Sequence, residues 1–203
     1  MFCSYTGGIN IIVRVKDNFE TLISTGVAML AAWSRAQTFT ASSTYTATAV
    51  SVNCSVFSQP GTFTGGIYAT DGGGKPTGVA LATFSIVITA ETTSPTWSTI
   101  STLSPSISLT SGVKYALVID GTADEIFYWY TDDDNSVDRY AGGEPFVDLG
   151  AGAGWVARSS PNQTDHSFRV YSGAAYVFTP PVDIVTYRRL VGAAEDAIWY
   201  EDI

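Results

Sequence analysis

The feature that most constrains this chain is a period-two alternation of apolar and small polar residues that sets in near Ala36. In "AVSVNCSVF" Val50, Val52, Cys54 and Val56 fall on one side, and in "GVKYALVID" Val113, Tyr115, Leu117 and Ile119 do. Such spacing puts one set of side chains on a buried face and the other on the opposite face, which is the signature of strands. Similar segments follow one another: "FTGGIYAT", "VALATFSIVI", "TWSTIST", "SPSISL", "IFYWYT", "GWVARS" and "HSFRVYS". The breaks between them are rich in Gly, Pro, Asp and Ser, spaced as turns are in sandwiches and barrels. The expected class is all-β, an antiparallel sandwich of jelly-roll type. Composition agrees: 203 residues with 45% hydrophobic content suffice for one sizeable core, and only 14% are charged.

The formal net charge of −9 disfavours nucleic acid or an anionic membrane as partner, since both draw on Lys and Arg. No apolar run approaches the roughly 20 residues of a spanning helix. The first residues, "MFCSYTGGINIIVRV", lack the basic and apolar regions of a secretory signal. Taken together these predict a soluble protein. Cys3 and Cys54 read as free thiols more readily than as a disulfide. Asn53 and Asn162 fit the glycosylation sequon, which carries little weight without a secretory context.

Three regions organise the chain. Residues 1–35 read as an N-terminal arm, with a strand over Ile9–Val15 and then a short helix, because Phe19, Leu22, Ile23, Val27 and Leu30 recur at helical spacing behind Asp17 and Glu20. Residues 36–178 form the sandwich. The tandem prolines of "TPPV" open a C-terminal linker and hairpin over 179–203, with Leu190 and Val191 on one limb and Ile198, Trp199 and Tyr200 on the other. A lone hairpin is marginal in water, so Leu190, Ile198, Trp199 and Tyr200, with Ile11 and Val13 of the N-terminal strand, are candidate assembly residues. Strands with free edges invite pairing with another chain.

"YATDGGGKPTGV" invites a phosphate-cradle reading, which the sequence does not support. A P-loop needs a glycine at position 69, Ser or Thr after the lysine, and a following helix, whereas Ala69, Pro76 and a strand pattern stand there. The stretch reads as a long hairpin loop. It also carries a resemblance: with "AQTFTA", "SPSISLTSGVKYALVI", "YAGGEP" and "HSFRVYSG" it is similar to a β-sandwich module of the choice-of-anchor type, found in bacterial surface proteins and in phage and other viral structural proteins. The likeness spans about residues 36 to 173 and implies a jelly-roll fold with no catalytic residues. The tail "TYRRLVGAAEDAIWYEDI" resembles C-terminal segments of phage tail and virion proteins.

Two segments are candidate sites. In "IFYWY" alternation gives both faces aromatic residues, so Tyr128, Trp129 or Tyr130 could form a stacking platform for sugar rings with Asp132 as hydroxyl acceptor; core packing is the plainer reading. In "TDDDNSVD" Asp132, Asp134, Ser136 and Asp138 stand at alternate positions, as in a calcium loop, but the glycine and glutamate of an EF-hand are missing, leaving a looser calcium site, with Asp132, Asp134 and Asp138 as its carboxylates, against a solvated acidic turn. No other cofactor is expected. Catalysis is not expected either: Asp165, His166 and Ser167 are consecutive, so a strand points them to opposite faces, and nothing fixes the separation of Glu125, Glu144 and Asp148 as a carboxylate pair. The leading expectation is a non-enzymatic virion structural protein, assembling with itself or other virion proteins through its arms. The rival is a carbohydrate-binding module of a cell surface or tail fibre that takes a host glycan.

Overall fold

The computed structural model describes residues 10–20, 25–29, 33–56, 60–121, 127–132, 140–150, 153–158, 164–176, 187–191 and 198–202. Among them every regular element is a strand: β1 (Asn10–Phe19), β2 (Thr25–Met29), β3 (Ser34–Thr40), β4 (Tyr45–Val56), β5 (Gly61–Thr70), β6 (Pro76–Ile88), β7 (Thr92–Trp97) and β8 (Ser101–Leu109). They continue with β9 (Lys114–Asp120), β10 (Phe127–Thr131), β11 (Pro145–Asp148), β12 (Trp155–Ala157), β13 (Phe168–Tyr176), β14 (Tyr187–Val191) and β15 (Ile198–Asp202). No helix among the described residues is long and apolar enough to cross a membrane.

Val13–Gly173 make one compact unit, and Met1–Ile12 with Ala174–Ile203 make another. In the larger unit the strand order runs β1-β13-β4-β8-β6-β5-β9-β3-β11-β12, and every pairing with a known register is antiparallel. β10 and β7 flank the second half of β4, and β2 pairs with β10. β8 joins the two halves: it pairs with β4 at both ends, slips register between Ala47 and Ala49, and meets β6 at Thr83 opposite Ser104. The result is sandwich-like. Val50, Val52, Cys54 and Val56 of β4 share one core with Phe39, Phe63, Ile67, Phe84, Leu117 and Ile119 of the opposing strands. Ring contacts cross the gap, Phe39 to Phe168 at 5.5 Å and Phe63 to Phe127 at 4.5 Å.

The glycine stretch is a hairpin turn between β5 and β6. Asp71 Oδ1 accepts from Gly73 N at 2.8 Å and from Lys75 N at 2.9 Å, and Gly74 N donates to Asp71 O. Gly74 has φ +79°, a conformation a side chain would strain. The N-terminal region departs from the sequence expectation. No helix forms over its described residues; β1 runs through Asp17 to Phe19, and Thr25–Met29 pairs with Thr131–Phe127. Asp17 accepts from Tyr45 Oη at 2.6 Å and Ser42 N at 3.0 Å. A Cβ on Gly26 would press on Tyr128 at 3.0 Å, so the glycine permits close pairing with β10. Pairing with strands distant in sequence outweighs a local helical period. The larger compact unit begins at Val13, so the described residues of β2 and most of β1 fall within it.

Candidate functional site

The aromatic strand β10 is mostly interior. Phe127 and Trp129 are fully buried in the shared core, and Trp129 Nε1 donates to Ser167 O at 2.9 Å. Tyr130 points to the other face, yet it is also closed off, and its Oη accepts from Ser55 Oγ at 3.1 Å. Only Tyr128 of the three is partly exposed. The expected sugar platform of Tyr128, Trp129 and Tyr130 is therefore corrected: two of its rings are buried, beside the half of β4 that is buried at every position. Asp132 is 1% exposed and clasps Asp165, accepting from Asp165 N at 2.9 Å and donating its own N–H to Asp165 O at 3.2 Å. It is a structural clasp and offers no solvent-facing acceptor to a sugar hydroxyl. Asp134 and Asp138 of the calcium expectation lie outside the described residues. Among the described residues no three His, Cys, Asp or Glu side chains converge on a metal position.

Around that clasp lies a buried polar cluster. Gln37 of β3 donates to Asp165 Oδ1 at 3.0 Å and accepts from His166 N at 2.8 Å, and Tyr140 N donates to Asp165 Oδ2 at 3.1 Å. The His166 ring stacks on Trp129 with centroids 4.3 Å apart. Burial, and then the charges of Arg35 and Arg158, hold the imidazole well below its ordinary pKa, so it is neutral in the folded protein. Arg35, 3% exposed, donates Nε and Nη2 to Ala28 O at 3.3 Å each; burial and the neighbouring Arg158 lower it to about 10, and it remains charged at neutral pH. Among the described residues His166 Nδ1 and Ser167 Oγ are buried without hydrogen-bond partners, so the serine is not coupled to the imidazole. Of the other carboxylates, Asp148 Oδ1 accepts from Gly150 N in a turn, Glu144 is exposed, and Glu125 lies outside the described residues.

The opposite face of β4 carries a second constellation. Ser51, Asn53 and Ser55 alternate with the core valines and are almost completely enclosed. Ser51 Oγ and Tyr171 Oη share a hydrogen bond at 2.9 Å, as Ser55 and Tyr130 do. Beside them the Arg169 guanidinium lies 3.8 Å from the centroid of Trp97, and Arg169 holds Glu20 through two hydrogen bonds of 2.8 and 2.7 Å. The Arg169 hydrogen bond holds the Glu20 carboxyl below its ordinary range, and Glu20 raises Arg169 in return. Sequence reasoning missed this group. Its members come from β4, β7, β10, β13 and the residue after β1, and the only local signal was an arginine among the apolar residues of "HSFRVYS".

Cys54 carries a free, buried thiol that burial pushes up to about 12, and Cys3 lies outside the described residues. Asn53 is 8% exposed, too enclosed to accept a glycan. The expected assembly residues Ile11 and Val13 lie on β1, Leu190 on β14, and Ile198, Trp199 and Tyr200 on β15. The β14–β15 register sets Leu190 opposite Trp199, Val191 opposite Ile198 and Arg189 opposite Tyr200. Compared with known proteins, the sequence matches no protein-family model and no curated sequence.

Proposed function

We propose that this chain is a non-enzymatic structural protein of a phage-like virion. It presents its sandwich, a jelly-roll variant, outward and joins copies of itself or other virion proteins through its terminal segments. The observation that carries the reading is the division of the chain: Val13–Gly173 enclose a core of their own, while the two termini form a separate compact unit. That unit includes a hairpin with apolar cross-strand pairs, and a two-stranded hairpin alone is marginal in water, so a neighbouring chain is a natural cover for it. The resemblance of residues 36 to 173 to viral structural modules points the same way.

Deleting residues 183 to 203 tests this. The expected outcome is a defined oligomer for the full chain and a monomer for the truncated one, by light scattering and negative-stain imaging, with the circular dichroism of the sandwich retained. A truncated protein that still assembles normally overturns the proposal.

A further inference from the structure

β4 changes neighbour at mid-strand: β10 pairs with it over Cys54, Ser55 and Val56, and β13 takes over from Val52 to Ala47. Residues 164–167 cross that fork without forming a ladder, and a single bridge, His166 to Thr131, joins them to β10. The Asp165 N–H donates to the Asp132 carboxylate, the His166 N–H to the Gln37 side chain and the Ser167 N–H to Tyr130 O. Ser167 O accepts from Asn53 N and from the Trp129 indole. We propose that this segment is an acid-released latch with His166 as its trigger: on protonation the imidazole leaves its seat, and residues 164–167 detach from β10 while the rest of the sandwich stays folded.

Three observations carry the latch, which goes beyond the assembly role and does not depend on it. First, the seat suits a neutral ring. His166 is buried flat against Trp129, and the charges that face it are both positive, Arg35 of β3 and Arg158 just beyond β12. The carboxylates of the cluster are engaged elsewhere: Asp132 accepts from Asp165 N, and Asp165 accepts from Gln37 Nε2 and Tyr140 N. Tyr140 itself turns its ring to Phe19 and Phe168. Among the described residues Nδ1 has no partner, so a proton at that nitrogen is a buried charge without an acceptor. Second, Gln37 couples trigger to latch. Its Oε1 accepts the His166 N–H while its Nε2 holds Asp165, so a displaced His166 also loosens the Asp165 carboxylate. Third, two of the segment's three N–H bonds go to side chains and can break without unzipping strands, whereas β3, β5, β6 and β9 are joined by long antiparallel registers. Segments held in this way open at lower free energy than core ladders.

The sign follows from linkage. The closed seat refuses the proton and the opened segment takes it near the ordinary pKa of 6.5, so the opening equilibrium grows about tenfold for each pH unit below that value. The test is amide hydrogen exchange of the full-length protein by NMR between about pH 7 and 5, with intrinsic rates divided out. The Asp165, His166 and Ser167 amides should lose about tenfold in protection per pH unit below 6.5, with little dependence on added urea, while Leu117 and Val118 of β9 exchange only through urea-sensitive global unfolding. In His166→Gln the three latch amides should keep level protection over the same range. His166→Phe, which keeps a ring on Trp129, decides the matter if His166→Gln does not fold. Latch amides that match the protection and urea dependence of β9, protection that does not fall below pH 6.5, or a fall that persists in the variant overturns the inference.

Discussion

Trp129 and Tyr130 are neighbours on β10, and both are shut off from solvent, yet they are buried in different ways. Trp129 lies in the shared apolar core, stacked on the neutral ring of His166. Tyr130 lies on the far face of the same layer, where Ser51, Asn53 and Ser55 of β4 are covered by tyrosine rings that hydrogen-bond to the serines. The inner face is held by area and close packing, the outer by hydroxyl pairs. Full burial here does not by itself identify a hydrophobic core.

This contrast predicts a graded response to substitution. Trp129→Ala should cost about 3–5 kcal/mol in urea unfolding, because it opens a large cavity and also leaves Ser167 O without its indole donor. A cost below that of Tyr130→Phe would erase the distinction between the faces. Next in size is a pH effect on the inner face. His166 is the chain's only histidine, and its folded pKa lies well below the ordinary 6.5. Below pH 6.5 the unfolded chain therefore binds a proton that the folded one refuses, and stability should fall by about 1.4 kcal/mol per pH unit until the folded pKa is reached. Unfolding titrations between pH 7 and 5 should show this slope in the wild type and lack it in His166→Gln.

On the outer face Tyr130→Phe removes one hydroxyl pair and should cost about 1 kcal/mol by thermal unfolding. The smallest effect belongs to Glu20→Gln at the exposed Arg169 pair, within about 0–1 kcal/mol. Because the Glu20 pKa is lowered from 4.5, its contribution should be present above that pH and vanish as pH falls through the folded value. A difference between wild type and Glu20→Gln that persists at low pH would show that the side chain acts by packing and not by charge.

Much of the fold could be read in advance, because strand alternation and turn chemistry are local. The β5–β6 turn is the clearest case: Asp71 and Gly74 act on atoms within four residues of one another. The N-terminal region was misread as helical for the complementary reason. Residues 25–29 are held by β10, about a hundred positions away, and the packing of Gly26 against Tyr128 has no local signature. The candidate sites divide likewise. Alternation correctly split Trp129 from its neighbours, but which of the two faces was open depended on what covered each.

By itself, then, the sequence determined the all-β class, most strand positions, the glycine hairpin and the C-terminal hairpin, since each rests on contacts between near neighbours or on a two-residue period. Only the tertiary structure decided that Trp129, Tyr130 and Asp132 are interior, and that Gln37 ties to Asp165 and His166. It also decided that Glu20, Arg169 and Trp97 meet on the outer face of β4. Those outcomes depend on register between strands distant in the chain, and one residue of register moves every side chain of a strand to the other face.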